Sequence, residues 1–103
     1  MISFVETKLF TRLVHEYLSD DEYSRLQQVL VADPEIGSVI PGSGGVRKMR
    51  WSVAGRGKRG GLRVIYFLRT RHGQIWMLTL YAKNAAENIP AQVLKQIKDE
   101  IDG

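Results

Sequence analysis

The chain has 103 residues, which is one domain, since two independent cores would get about 50 residues each, near the lower limit for folding alone. It contains no cysteine, so disulfide frameworks and thiolate metal sites are excluded. The net charge is a mild +4, but it is split along the chain into a cationic and an anionic half.

Residues 2–6, Ile-Ser-Phe-Val-Glu, read as a short opening strand. The start Met1-Ile2-Ser3-Phe4 has no basic stretch before an apolar one, and no apolar run approaches the roughly 18 residues of a membrane helix. A cytoplasmic protein is therefore expected. From Thr7, a candidate N-cap, the period changes. Phe10, Leu13, Val14, Tyr17 and Leu18 recur at helical spacing. Ser19-Asp-Asp-Glu22 is a capping box, and the helix it opens turns Tyr23, Leu26, Val29 and Leu30 inward. Asp33-Pro34 ends that helix, because the residue before proline avoids the helical region. The two helices should form an antiparallel hairpin.

Residues 36–45 are rich in Gly, Ser and Pro and read as a loop. Three strands are expected next, at 46–53, 62–69 and 74–82. A glycine loop at 55–61 separates the first two, and a hairpin turn at Arg71-His72-Gly73 separates the last two. Ile89-Pro90 opens a last helix carrying Val93, Leu94, Ile97 and Ile101 on one side. The order is β-α-α-β-β-β-α in a single domain, 1–103. The expected class is α+β, a small, mostly antiparallel sheet with helices packed on one face.

Between Glu35 and Glu87 lie 51 residues without a carboxylate and with ten Lys or Arg, while the other 52 residues carry −6. Such segregation favours a polyanion as the partner of the second half. It also argues against a Mg²⁺, Ca²⁺ or Mn²⁺ site there, since hard cations need carboxylate oxygens. Strand alternation puts Lys48 and Arg50 on one face of their strand and Arg47, Met49 and Trp51 on the other. Lys48, Arg50 and Arg63 together would make an anion site; the competing reading is a basic face kept for solubility. The 55–61 loop is not a phosphate-binding P-loop, because no G-x-x-x-x-G-K-[ST] runs through it. It reads either as a basic arm or as a hydrated linker. His15 reads as a surface residue and His72 as a turn filler. Of the strand aromatics, Tyr66, Phe67 and Trp76 read as core, Trp51 as core or a stacking group, and Tyr81 as a candidate for stacking on a base. Without a histidine pair, strand cleavage through a 2′-hydroxyl would fall to Lys and Arg, and only RNA has that internal nucleophile.

Val46-Arg-Lys-Met-Arg50, Gly57-Lys-Arg-Gly-Gly-Leu-Arg-Val-Ile-Tyr-Phe67, Leu78-Thr-Leu-Tyr-Ala-Lys-Asn84 and the earlier Glu16-Tyr-Leu-Ser-Asp-Asp-Glu-Tyr23 resemble the HigB branch of the RelE/ParE toxin superfamily over nearly the whole chain. The resemblance implies the toxin of a type II toxin–antitoxin pair. It further implies a metal- and cofactor-free endoribonuclease that cuts mRNA in the ribosomal A site and is held silent by a HigA-like antitoxin. Its implied catalytic residues are Lys48, Arg50 and Arg63; after the last strand the match to RelE fails in part, and Lys83 and Tyr81 are the substitutes expected to complete the catalytic set. Arg47, Arg56, Lys58, Arg59 and Asn84 would hold mRNA or ribosomal RNA. Asn84 stands where RelE itself has an arginine, and Pro90 lies near where RelE has a tyrosine. A ParE-like gyrase poison, or an inactive relative that only binds RNA or antitoxin, is the alternative, since fold alone does not fix function.

Overall fold

The computed structural model describes residues 2–52, 61–82 and 90–102. Strand β1 (Ser3–Glu6) is followed by helices α1 (Lys8–Tyr17) and α2 (Asp20–Ala32). Strands β2 (Ser38–Val39), β3 (Arg47–Trp51), β4 (Leu62–Arg69) and β5 (Gln74–Ala82) come next, and α3 (Ala91–Asp102) is last. The five strands form one mixed sheet in the order β1-β5-β4-β3-β2. Only β1 runs parallel, against β5. The α+β class and the order of the expected elements hold, with β2 added inside the segment that its composition marks as loop.

Helix α1 is pinned to the sheet at its N-cap, Thr7. The Thr7 hydroxyl accepts from the Phe10 amide at 3.0 Å and donates to the Leu78 carbonyl at 2.7 Å, while the Thr7 amide donates to the Met77 carbonyl at 3.1 Å. Those carbonyls lie where β5 carries an extra residue: Met77 pairs with Tyr66 and Thr79 with Ile65, leaving Leu78 as a bulge. The capping box of α2 is formed as expected. The Ser19 hydroxyl accepts from the Glu22 amide and the Glu22 carboxylate accepts from the Ser19 amide. Tyr23 ties both helices to β1 by donating to Glu6 at 2.6 Å, and its ring lies 5.7 Å from that of Phe10. Burial and then this bond to a carboxylate push the Tyr23 phenol well above its ordinary pKa.

The expectation that all helices share one face is corrected. Helices α1 and α2 bury Phe10, Val14, Leu26 and Leu30 against Met49, Val64, Tyr66, Ile75, Met77 and Leu80. Helix α3 covers the other face, with Leu94, Ile97 and Ile101 against Val46, Ile65, Phe67, Trp76 and Leu78. The physical reason lies in β4, where Val64, Ile65 and Tyr66 are buried in succession. A strand apolar on both sides needs cover on both sides. The expected hairpin turn joins antiparallel β4 and β5. A 3-10 turn at Thr70–His72 closes on Gly73, whose φ of 62° is the left-handed conformation glycine takes without strain.

A clamp fixes β2 at the sheet edge. The Tyr66 hydroxyl accepts from the buried Gly37 amide at 2.9 Å and donates to the Pro34 carbonyl at 2.8 Å. From the neighbouring strand, Arg47 donates to the Gly37 carbonyl at 2.6 Å and the Glu35 carbonyl at 3.2 Å. A side chain at 37 would not fit, since a Cβ there would come within 2.9 Å of the Tyr66 ring. Burial raises the Tyr66 pKa, opposed in part by the Gly37 amide and the Arg47 charge.

Candidate active site

Register decides which basic residues meet. Arg50 pairs with Arg63, and Arg63 pairs with Tyr81, so these three stand in one row across β3, β4 and β5. Neighbouring strands are about 4.8 Å apart, so the row spans about 10 Å between its outer Cα atoms. The next row on this face runs Ser38, Lys48, Ile65, Thr79. Lys48 lies two residues from Arg50 along β3, a step of about 7 Å. The cluster of Lys48, Arg50 and Arg63 is thus assembled on one face, with Tyr81 beside it.

This is the α3 face. Helix α3 occupies the end around Phe67 and Trp76, where the Lys98 ammonium sits 5.4 Å from the Phe67 ring centre. Arg50 is exposed, and Lys48, Arg63 and Tyr81 are half-buried at the other end. Tyr81 leans on the small core beneath α3, which fixes its ring. Strands β3, β4 and β5 contain no carboxylate. Two arginines placed directly opposite each other repel, and passive strand pairs avoid such placements. An anion bridging Arg50 and Arg63 would relieve that repulsion by charge-assisted hydrogen bonds.

Other expected residues lie elsewhere. Arg47 projects to the α1/α2 face, where its guanidinium holds the 35–37 backbone and lies 3.8 Å from Glu35. Trp51 is half-buried against the main core on that same face, which resolves its two readings in favour of core. Arg56, Lys58, Arg59, Lys83 and Asn84 lie outside the described residues. His15 and His72 are exposed and apart from the basic rows. An apolar hollow of about 180 Å³, lined by Ile2, Pro34, Leu68, Gly73, Gln74 and Ile75, sits at the opposite end of the sheet and takes no part in this cluster. Ser38 was not legible as a neighbour of Lys48, because β2 lies in a stretch whose Gly, Ser and Pro content signals loop.

Comparison with known families matches residues 4–101 to the one described as "RelE toxin of RelE / RelB toxin-antitoxin system". The chain belongs to the RelE toxin family. The match takes in every strand and helix save the ends of β1 and α3. Its role as a RelE-family toxin makes an antitoxin its partner. The Arg50–Arg63–Tyr81 row is therefore the basic surface of a RelE-family sheet, and no helix among the described residues is long and apolar enough to cross a membrane.

Proposed function

We propose that this RelE-family toxin is a cytoplasmic, HigB-type mRNA endoribonuclease that acts in the ribosomal A site and is neutralised by a HigA-like antitoxin. The observation that carries the reading is the convergence of Lys48, Arg50 and Arg63 beside Tyr81 on one face of three strands that hold no Asp or Glu. The segments Gly57–Phe67 and Leu78–Asn84 support the HigB assignment by their likeness to that branch.

In this mechanism Lys48 takes the proton of a 2′-hydroxyl or stabilises the charge that develops as it leaves. The 2′-oxygen attacks the adjacent phosphorus, and the bond to the 5′-oxygen breaks. Arg50 and Arg63 hold the scissile phosphate and stabilise its added negative charge, the usual large contribution to such a barrier. Lys83, two residues after Tyr81 in sequence, protonates the departing 5′-oxygen or grips the phosphate. Tyr81 stacks on a base and aligns the nucleotide. The products are a 2′,3′-cyclic phosphate and a free 5′-hydroxyl. With the charge handled by guanidinium and ammonium groups, the scheme calls for no metal or cofactor.

The Arg63→Ala variant tests the assignment. We expect it to fold, to lose cleavage by about 100-fold or more, and to be harmless when expressed. A folded variant that cuts mRNA at the wild-type rate would refute the site. Mapping mRNA 5′ ends beside a gyrase supercoiling assay separates this reading from a ParE-like poison, which would block supercoiling and create no new ends.

A further inference from the structure

The basic face reaches the free edge of the sheet. Ser38 pairs with Lys48 across β2 and β3, so the two side chains stand side by side on the α3 face. The Ile40 amide donates to the Val46 carbonyl at 2.8 Å, and the alternation of an antiparallel ladder turns the Ser38 backbone groups toward β3 as well. That leaves the side chain as the polar group Ser38 offers outward. It is exposed, and among the described residues no group takes its hydroxyl. Ser43, in the same loop-rich segment, is the contrast. It is buried, donates to the Ile40 carbonyl at 2.6 Å and accepts from the Val46 amide at 3.0 Å, a wholly structural use of a serine.

The edge is also held in place. Tyr66 and Arg47 bind the 34–37 backbone through four hydrogen bonds immediately before Ser38. A two-residue strand would fray without such support, and with it the Ser38 backbone is held beside Lys48 before any ligand arrives. A donor on a held backbone loses less entropy on binding than one on a fraying end.

We infer that Ser38 is a phosphate-binding residue of this surface, donating its hydroxyl to the RNA phosphate next to the scissile one held by Arg50 and Arg63. The inference rests on the RNA-binding reading above and adds a direction to it. The single strand crosses the sheet obliquely, from Tyr81 on β5, over Arg63 and Arg50, to Lys48 and Ser38 at the β2 edge. A hydroxyl suits that outer position, since it contacts a phosphate without adding a fourth cation to a crowded face.

The test is fluorescence anisotropy of a labelled, uncleavable 2′-O-methyl RNA decamer, titrated with the full chain between 50 and 200 mM salt. Ser38→Ala should weaken binding about 3- to 10-fold, the scale of one ordinary net hydrogen bond at an exposed position. Its salt slope should match that of the wild type, because no charge is removed. Ser38→Glu should weaken binding further, and should flatten the slope as Arg50→Ala does, by about 0.7. Ser24→Ala, on the exposed side of α2, should change neither. If Arg50→Ala weakens binding but both Ser38 variants bind like the wild type, Ser38 is not a ligand and the RNA surface stands. If Lys48→Ala and Arg50→Ala are also without effect, the RNA surface itself is wrong and the inference falls with it.

Discussion

Removing the Tyr66 hydroxyl should cost more than its single oxygen suggests. In Tyr66→Phe the bond to the Pro34 carbonyl is lost, and the buried Gly37 amide loses its acceptor. Net loss of an ordinary hydrogen bond is about 1 kcal/mol, and stranding a buried donor costs about 1–3 kcal/mol. The sum is about 2–3 kcal/mol, because Arg47 still holds the Gly37 carbonyl and limits the damage. For a domain of this size that lowers Tm by about 8–20 °C. Urea unfolding at pH 7 should show a lower midpoint with an unchanged slope, since the surface exposed on unfolding is the same. The pH dependence has a definite sign. The folded state holds Tyr66 neutral above its ordinary pKa, so its contribution is full below pH 10 and declines as pH rises beyond that toward the raised value. Tyr66→Phe should therefore lose less stability than the wild type as pH rises above 10. A stability change below about 0.5 kcal/mol at pH 7 would refute the clamp.

Three further outcomes follow from the same geometry. Ser19→Ala breaks the capping box of α2 and should cost about 1 kcal/mol in chemical denaturation, with no effect on RNA binding. Arg47→Ala and Arg50→Ala, three residues apart, should behave oppositely: the first lowers Tm and leaves the salt slope of RNA binding intact, while the second leaves Tm nearly unchanged and flattens the slope. Leu94→Ala should cost about 2–4 kcal/mol, because α3 has only a small core of its own, and should speed amide exchange in α3 before that in α1.

Much of this architecture is legible in the residues. Strands β4 and β5 begin and end where their aromatic and β-branched runs do, and the two caps at Thr7 and Ser19 form as their sequence spacing demands. Local pattern also brings Lys48 and Arg50 to one face. What it leaves out is set by contacts far apart in sequence. β2 exists because Tyr66 and Arg47 hold residues 34–37 from two other strands, and nothing within Ile36–Gly45 announces it. The β5 bulge depends on Thr7, some 70 positions earlier. The placement of α3 was readable from Val64-Ile65-Tyr66, an apolar run with no solvent side, but alternation weighed on one strand pair alone hides it. Strand parity sets Arg47 on the face opposite Lys48 and Arg50, but the clamp it enters there is built with residues 35–37 and could not be read from parity alone.

The central claim is that the Lys48–Arg50–Arg63 face cuts mRNA on the ribosome. The most direct measurement is incubation of the purified toxin with a reporter mRNA, with and without translating ribosomes, followed by mapping of cut positions and end chemistry. We expect cuts in the A-site codon only when ribosomes translate, 2′,3′-cyclic phosphate and 5′-hydroxyl ends, and no cuts with Arg63→Ala. Intact mRNA under translation, with wild-type protein that still arrests growth, would contradict the account.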